Sequence, residues 1–406
     1  MSAKNDEDAV RQLLQGAAQV LPEGGMELAL ARSHDQGRPL RVKYGIDPSG
    51  AELTLGHAVV LRKLRQFQDL GHTAVLVIGD FTGTVGDPTG RSAGRNAMSL
   101  EQTTANATTY MAQAAVILRQ DRLEIRRNTE WLAGMALTDV LSHAQSITVA
   151  QLLERDDFKA RYNQHRPIAL SEFCYPLLQG IDSVAVRADI ELGGTDQLFN
   201  LVQARELQRG AAQDPQVVLT MPLLVGLDGA QKMSKSLGNY VALTDPAAEQ
   251  FGKLMSIPDT LVRDYAQLCT NMAEEQIRAL SVSADQGGPG AAQAKRAVAR
   301  AVVAIYHGQH EADRAEHDFN LRFRDREVPQ DVPTVQLPND PDIYLPALLS
   351  DAGLSPSRAA ARRLIDAGAV RLNGEPLSSG TYTSSREALA GRVVQAGRRR
   401  AARLLG

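Results

Sequence analysis

The hydrophobic pattern near the N-terminus changes period in a regular way. Residues 40–46 are a run rich in strand-forming residues, and residues 73–79 are a continuous apolar run of strand length. Residues 55–70 lie between them and place apolar side chains at helical intervals, and Gly71 follows where a helix C-terminus favours glycine. A strand, a helix and a strand at these distances predict a parallel sheet with a right-handed crossover.

The rest of the chain continues this alternation. The pattern predicts helices at residues 8–21, 26–32, 99–118, 137–144, 149–162 and 171–178, and strands at 184–192 and 217–221. Ser99 and Gln102 form a capping box for the helix that they open. Residues 244–326 are predicted to be mostly helical, with breaks at Pro258 and at residues 287–290.

Prolines divide the C-terminal third. Pro329, Pro333, Pro338 and Pro341 fall within one short polar run, which predicts a stiff linker rather than a folded element. Beyond it, two predicted helices at 344–352 and 355–367 precede strands around an Asn373-Gly374 hairpin turn. We therefore expect an α/β fold in four segments: 1–242, a Rossmann-like parallel-sheet domain; 243–328, an α-helical domain; 329–342, the linker; and 343–406, a small α+β domain.

Composition narrows the class of protein. The 406 residues are 43% hydrophobic and 22% charged, as in ordinary globular proteins. Cys174 and Cys269 stand alone, so neither a disulfide framework nor a zinc site is indicated. The polar, acidic start excludes a secretory signal, and no apolar run has the length of about 20 residues that a bilayer span needs. These features predict a cytoplasmic protein without a membrane segment.

Charge is unevenly distributed along the chain. Residues 343–406 contain 10 Arg and no Lys against four acidic residues, a net charge of +6. Because the whole chain carries −3, the preceding residues carry −9. This asymmetry favours an appended module with a polyanionic partner, the alternative being a solvated basic tail.

Two short stretches carry candidate chemistry. Residues 48–57 form the turn between the first strand and its helix, where nucleotides bind in open α/β sheets. Gly56 allows a close approach to the backbone, and His57 can donate to a phosphate. Lys232 and Lys235 occupy a Lys-Met-Ser-Lys-Ser loop behind the last core strand. Taken separately, each stretch is also compatible with a solvated surface segment.

Two glycine-rich turns add polar groups to the predicted cleft. The first, at residues 79–95, matches neither the Walker pattern nor GxGxxG, and we interpret it as a loop that brings Asp87 close to a small ligand. The second, Gly-Gly-Thr-Asp-Gln at 193–197, follows a predicted strand and aims polar side chains at the same cleft.

Taken together, these motifs resemble a known family. Leu-Gly-His at 55–57 and the lysine loop at 232–236 resemble the paired signatures of class I aminoacyl-tRNA synthetases. The motifs at 86–90, 175–182 and 193–197 resemble those of tyrosyl-tRNA synthetases. Residues 357–365 and 370–375 resemble a small RNA-binding fold first known from a ribosomal protein. The resemblance covers nearly the whole chain, with the motifs in the same order.

The resemblance implies roles for individual residues. Catalysis would involve Thr54, His57, Lys232 and Lys235. ATP would bind at Asp47, Ser49, Gly56, His57, Gly194, Asp196, Met233 and Lys235. Tyrosine would bind at Asp87, Tyr175, Gln179, Asp182 and Gln197, with Asp182 accepting from the phenol and the others holding the amino-acid end. RNA would bind at Arg358, Arg362, Arg363, Arg398, Arg399 and Arg400.

The implied substrates are tyrosine, tRNA(Tyr) and ATP with Mg²⁺. The resemblance also implies a homodimer, and the sequence shows neither a prosthetic group nor a dedicated metal site. The rival interpretations are a tryptophanyl enzyme, a catalytically idle RNA-binding paralogue, and a small-molecule nucleotidyltransferase. The tryptophanyl enzyme is opposed by Gly-Gly-Thr-Asp-Gln and by the basic module. The idle paralogue is opposed by the retained Lys232, Lys235, His57 and Asp87. The nucleotidyltransferase is opposed by the Arg-rich module, for which it would have no use.

Two positions depart from the family pattern. Thr54 stands where the signature usually has its first His, and its hydroxyl is still expected to donate to a phosphate. Lys43 stands where many members place a second phenol-binding Tyr. Strand alternation puts Lys43 on the side of Gly45 and Asp47 and predicts that Tyr44 points into the core.

Overall fold

The computed structural model describes residues 3–87, 98–323, 332–397 and 400–406. They form two compact units. The first comprises Met1–Pro246 with Lys253–Tyr306, and the second comprises Ala247–Gly252 with His307–Gly406.

The first unit is built on one sheet. Over the described residues its strands are β1 (Gln19–Leu21), β2 (Arg41–Ile46), β3 (Thr73–Ile78), β4 (Leu123–Arg127), β5 (Ile190–Gly194) and β6 (Val217–Met221). They lie in the order β1-β6-β5-β2-β3-β4, with β1 antiparallel to β6 and every other neighbouring pair parallel. Because the order reverses beside β2, a crevice is expected at the carboxyl ends of β2 and β5.

Helices surround this sheet. Those before residue 247 are α1 (Ala3–Leu14), α2 (Gly25–Gln36), α3 (Leu55–Asp69), α4 (Thr82–Val85), α5 (Leu100–Ala114), α6 (Thr129–Leu132), α7 (Leu137–Ala144), α8 (Val149–Leu152), α9 (Asp156–Asn163), α10 (Leu170–Val186) and α11 (Leu198–Gly210). The chain continues with α12 (Ala247–Met255), which is divided between the two units, then with α13 (Val262–Cys269), α14 (Glu274–Asp285) and α15 (Gly288–His307), which belong to the first unit as far as Tyr306, and with α16 (Gln309–Phe323), which belongs to the second unit. The predicted helical character of residues 244–326 is confirmed over its described part.

The predicted strand–helix–strand unit is confirmed as β2, α3 and β3. Helix α3 buries Leu61, Leu64 and Phe67 completely, so its apolar stripe faces the core. Gly71 follows the helix with φ +93°, a left-handed conformation that glycine adopts at little cost. The predicted helix at 137–144 and strand at 217–221 are also confirmed, as is the Ser99–Gln102 capping box.

Several sequence-based boundaries are wrong. The helix predicted over 8–21 ends at Leu14, because residues 19–21 pair with β6 as an antiparallel edge strand. The helix predicted over 149–162 is two helices, α8 and α9. The helix predicted over 99–118 ends at Ala114.

The largest error concerns α10. The sequence predicted a helix at 171–178 and a strand at 184–192, whereas the helix runs to Val186 and the strand begins at Ile190. The β-branched Val184 and Val186 favour a strand locally, but packing against α11 keeps the segment helical. Arg187, at φ 49°, ends the helix. Strand β4 was not predicted at all.

The second unit contains β7 (Thr334–Gln336), β8 (Asp342–Tyr344), α17 (Leu345–Asp351), α18 (Arg358–Asp366), β9 (Val370–Leu372), β10 (Glu375–Pro376), β11 (Thr383–Ser385), α19 (Arg386–Leu389), β12 (Val393–Ala396) and β13 (Arg400–Leu405). The Asn373-Gly374 hairpin is confirmed between β9 and β10. The expectation of a linker without folded elements is wrong for residues 332–342, because β7 pairs in parallel with β13, and residues 329–331 lie outside the described residues. The predicted four-segment division itself stays a prediction.

Candidate active site

The first signature opens helix α3. The Thr54 amide donates to Nδ1 of His57 over 3.1 Å, and the Thr54 hydroxyl lies 2.9 Å from the same nitrogen. An Nδ1 that accepts an amide proton fixes the neutral tautomer that carries its proton on Nε2. Thr54 is 1% exposed, so its hydroxyl orients His57. The direct contact of this hydroxyl with a phosphate stays a prediction.

His57 is a neutral donor at neutral pH. Burial and, to a smaller extent, the positive charges of Lys235 and Lys232 together lower the pKa of its imidazole to about 3. A neutral Nε2–H at a helix N-terminus, with cationic side chains nearby, suits a phosphate oxygen.

The second signature lies against the first. Backbone hydrogen bonds join the first signature to the segment that follows the lysine loop, from the Leu55 amide to the Val241 carbonyl (3.0 Å) and from the Leu243 amide to the Leu53 carbonyl (2.9 Å). A Cβ atom built on Gly56 would lie 3.8 Å from Cβ of Met233, which is ordinary contact. The structure thus brings the two motifs, far apart in sequence, to one place.

The two signature lysines point to different sides of the crevice. Lys232 Nζ donates to Asp196 over 2.9 Å, just beyond the end of β5. Lys235 Nζ donates to the Glu52 carbonyl over 2.9 Å and to the Tyr110 hydroxyl over 2.6 Å, on the loop that follows β2. Two ammonium groups so placed can stabilise the charge of a polyphosphate lying between them.

Helix α10 carries three predicted tyrosine ligands on one face. Tyr175, Gln179 and Asp182 follow each other at i, i+4 and i+7. Asp182 is 4% exposed, and its carboxylate accepts from Trp131 Nε1 (2.8 Å) and Asn128 Nδ2 (3.3 Å). Burial raises the pKa of Asp182 to about 6, against the opposing charge of Lys43 and these two donors.

Further carboxylates, Asp47 and Asp87, lie near Tyr175 at the opposite end of the predicted tyrosine site from Asp182. Tyr175 donates its hydroxyl proton to Asp47 over 2.9 Å, and Thr82 donates to the second oxygen of Asp47 over 2.7 Å. Gln197 Nε2 donates to Asp87 over 2.7 Å. Desolvation raises the pKa of Asp47 to about 7, opposed by the Thr82 hydrogen bond and reinforced by Asp87. The negative charge of this pole suits an ammonium group.

Three of the predicted ATP ligands, Asp47, Ser49 and Gly194, lie at different places in the site. Asp47, expected to contact ATP, has its side chain among the tyrosine-side groups described above, whereas Ser49 is exposed on the loop after β2. Gly194 ends β5, and a Cβ there would lie 2.8 Å from both Asp196 Oδ1 and Leu223 Cδ2, so only glycine fits without a shift. The ATP assignments of these residues stay predictions.

In the described part of the chain, the side-chain amide of Gln179 is hydrogen-bonded at its nitrogen but not at its oxygen. Its Nε2 donates to Glu191 over 3.3 Å, while its Oε1 is buried without a hydrogen-bond partner among the described residues. A buried carbonyl oxygen without a donor favours a ligand that supplies an N–H.

Lys43 is fixed beneath this pocket. Its Nζ lies 2.8 Å from Glu191, 2.8 Å from Ser183 Oγ and 3.0 Å from the Gln179 carbonyl oxygen. These three contacts match the three N–H bonds of an ammonium group, which leaves none for a phenol. Lys43 thus faces the side that strand alternation predicted, and Tyr44 is buried as expected.

Sequence reasoning missed Asn128, Trp131, Thr82, Glu191 and Tyr110. Asn128 and Trp131 follow the carboxyl end of β4, a strand that was not predicted. A recognised strand there would have been the signal, because polar residues after parallel strands face the same sheet edge.

The predicted RNA-binding arginines lie in the second unit. Arg358, Arg362 and Arg363 lie on α18, and the Arg362 guanidinium lies over the rings of Tyr344 (5.6 Å) and Tyr382 (5.1 Å). Arg400 donates to the Leu354 carbonyl over 3.2 Å. Arg398 and Arg399 lie outside the described residues.

Among the helices that the structure describes, none is long and apolar enough to cross a bilayer. No cluster of three or more His, Cys, Asp or Glu side chains suited to a metal ion occurs within the described ranges.

Solved structures share the fold. The tyrosyl-tRNA synthetase from Archaeoglobus fulgidus, complexed with L-tyrosine, matches 77% of this chain and 99% of its own with a TM-score of 0.61 at 21% identity. A C-terminally truncated mitochondrial tyrosyl-tRNA synthetase from Aspergillus nidulans matches 78% of this chain and 94% of its own, with a TM-score of 0.63 at 21% identity. At such identities the likeness shows the fold alone.

Curated relatives share more sequence identity with this chain than these solved structures do. Residues 35–324 match the family described as tRNA synthetases class I (W and Y), and residues 345–383 match the S4 domain. A tyrosine–tRNA ligase from Symbiobacterium thermophilum is 47% identical over 100% of this chain and 99% of its own length. One from Moorella thermoacetica is 44% identical over 99% of this chain and 97% of its own. The chain therefore belongs to the tyrosine–tRNA ligase family of class I aminoacyl-tRNA synthetases.

Proposed function

We propose that the chain activates tyrosine with ATP and transfers the tyrosyl group to the 3′ end of tRNA(Tyr). The observation that supports this most is the joining of the two signatures around His57, beside a helix whose buried Asp182 accepts hydrogen bonds. The lysine loop supplies the phosphate chemistry, and the helix supplies the amino-acid specificity.

In the first step, a carboxylate oxygen of tyrosine attacks the α-phosphorus of ATP. A new P–O bond forms, and the bond to the departing diphosphate breaks with its electron pair going to the diphosphate. No covalent enzyme intermediate is needed, so catalysis is positioning and charge stabilisation. Lys232 and Lys235 stabilise the diphosphate, and His57 donates from Nε2. Mg²⁺ enters as part of the substrate with ATP.

The pocket supplies tyrosine specificity from its two poles. Asp182 accepts the phenol proton, held in place by Trp131 and Asn128. Asp87, Tyr175 and Gln179 hold the ammonium end, and Gln197 contacts the main chain of the amino acid. A buried acceptor left without its partner costs several kcal/mol, which rejects phenylalanine by roughly 10⁴ to 10⁵.

In the second step, a ribose hydroxyl of the terminal tRNA nucleotide attacks the tyrosyl carbonyl. The new ester bond forms as the bond to AMP breaks. We assign tRNA backbone binding to the S4 module through Arg358, Arg362, Arg363 and Arg400, because the module carries the net positive charge. Its affinity for tRNA should therefore fall steeply with salt.

Self-association belongs to the same proposal. Apolar side chains of α7, α8 and α10 are exposed: Leu137 at 72%, Leu141 at 56%, Val149 at 61% and Leu170 at 79%. A contiguous exposed apolar patch marks an interaction site, and these side chains are the ones we assign to such a patch. We propose a cytoplasmic homodimer formed by this stretch, and light scattering should give twice the mass of 43.9 kDa.

The deciding experiment is amino-acid-dependent exchange of diphosphate into ATP, run in parallel with tyrosine, tryptophan and phenylalanine. Exchange with tyrosine alone, followed by charging of tRNA(Tyr), supports the proposal. Exchange with tryptophan would favour the tryptophanyl rival, and no exchange with any amino acid would favour the idle paralogue.

A further inference from the structure

One face of helix α5 is polar and holds the loop before the first signature. Asn106 Nδ2 donates to the Pro48 carbonyl (2.9 Å), and Thr109 Oγ1 donates to the Ala51 carbonyl (2.8 Å). Gln113 accepts the Leu53 amide (2.7 Å) and donates to the Ala51 carbonyl (2.9 Å). These side chains lie at i, i+3 and i+7, so one helix face sets the path of residues 48–53.

Tyr110 lies in the middle of this face and contacts both signatures. It is 1% exposed, and its hydroxyl lies 2.6 Å from Lys235 Nζ. The same ammonium lies 5.1 Å from the centre of the Tyr110 ring. The ring also meets the His57 imidazole edge-on, with centroids 6.3 Å apart. Tyr110 belongs to none of the motifs that carry the family resemblance.

The chemistry of the Lys235 contacts differs from that of Lys232. Lys232 meets a carboxylate, which neutralises much of its charge, whereas the hydroxyl of Tyr110 and the carbonyl of Glu52 are neutral oxygens. Both oxygens accept a hydrogen bond and so fix the position of the ammonium group, and neither of these two contacts adds a negative charge of its own. The ammonium also lies directly on the loop, because a Cβ built on Gly50 would be 3.0 Å from it.

We propose that Tyr110 is a positioning residue that holds the Lys235 ammonium beside His57, above the loop of residues 48–53, for the ATP-dependent step. The inference rests on the proposed function. It adds a residue of α5 to the two signatures and links them through one side chain.

The test is Tyr110→Phe, which keeps the ring and removes the hydroxyl. Loss of one hydrogen bond to a charged group should lower kcat for diphosphate exchange on the order of tenfold, with KM for tyrosine unchanged. Tyr162→Phe, at an exposed tyrosine of α9, is the matched control and should leave exchange unchanged. Gly50→Ala disturbs the same ammonium from the loop side and should also slow exchange if Tyr110→Phe proves unstable.

A double-mutant cycle separates positioning from folding. In a Lys235→Met background, Tyr110→Phe should change exchange less than twofold, because the hydroxyl then has no ammonium to hold. Equal losses in both backgrounds would overturn the proposal, as would unchanged or faster exchange in Tyr110→Phe alone. Failure of the proposed function is distinguishable, since the unmutated protein would then show no tyrosine-dependent exchange.

Discussion

Two lysine–carboxylate pairs in this site have almost the same length and opposite surroundings. Lys43 lies 2.8 Å from Glu191 with both side chains fully buried. Lys232 lies 2.9 Å from Asp196 with side-chain exposures of 40% and 22%. The first joins neighbouring strands β2 and β5 below Gln179, and the second joins the lysine-loop signature to the turn after β5.

The difference in burial decides what each pair can do. A buried pair that loses one partner leaves an uncompensated charge in a low dielectric, so its members must stay together. A pair near the surface contributes at most about 1 kcal/mol, so a phosphate can take the place of the carboxylate. The end of the site that we propose for tyrosine is therefore a fixed frame, whereas the end proposed for ATP consists of contacts that a substrate can replace.

The largest effect expected from this comparison is on stability. Lys43→Met should lower the free energy of unfolding by about 3–5 kcal/mol, because Glu191 stays buried without its cation. Lys232→Met should change it by less than about 1 kcal/mol. Denaturant unfolding of both variants checks the contrast, and equal losses would show that burial does not separate the two pairs.

The second effect concerns specificity. Asp182→Ala should lower the ratio of kcat/KM for tyrosine over phenylalanine on the order of 10² to 10³, because only tyrosine loses its acceptor. Asp121→Ala, at an exposed ion pair, is the control. An unchanged ratio would mean that another group recognises the hydroxyl. Lys43 is a poor candidate for that group, since its three N–H bonds are already used.

The third effect concerns Lys235, at the end of the site that we propose for ATP. Lys235→Ala should slow adenylate formation by about 10² while tyrosine affinity changes little, as expected for an interaction made mainly in the transition state. Single-turnover activation measures the rate, and Lys159→Ala provides an exposed lysine as control. Activation at the parental rate would remove Lys235 from the mechanism.

The smallest effect is a pH dependence. With pKa values of about 6 for Asp182 and about 7 for Asp47, acidification from pH 7 to 5 protonates the pocket. We expect kcat/KM for tyrosine to fall up to about tenfold per pH unit, and more steeply than for phenylalanine. Equal pH profiles for the two amino acids would contradict this.

Unfolding does not explain such a loss. Both folded pKa values lie above the unfolded value of 3.8, so the folded state binds more protons between about pH 4 and 7. The contribution of these groups to stability is fully present below pH 3.8 and is lost as the pH rises through 6 to 7. Their titration thus favours the folded state as activity falls, and a melting curve at each pH checks this separation.

The sequence predicted the parts of this site that depend on local patterns. Alternation along β2 placed Lys43 opposite Tyr44. The resemblance named Tyr175, Gln179 and Asp182, although the helix predicted at 171–178 ended before Gln179. The unit of β2, α3 and β3 was predicted from the hydrophobic spacing along these segments. These features need only the period of one helix or strand, which a single sequence contains.

The residues that support the site depend on tertiary contacts. Strand β4 is half-buried throughout and carries Glu124, Arg126 and Arg127, so its apolar pattern was too weak to predict it. With it, Asn128 and Trp131 were missed. Tyr110 was missed for another reason, because a tyrosine on an amphipathic helix carries no sign of the loop against which it packs.

The contact between Trp131 and Asp182 has a spectroscopic consequence. The chain contains one tryptophan, and its indole nitrogen donates to the carboxylate assigned to the substrate phenol. Excitation of indole therefore reports on a single location in the molecule. Tyrosine arriving at that carboxylate changes the charge and polarity around the fluorophore, so emission intensity gives a label-free titration and a stopped-flow signal for the binding step alone.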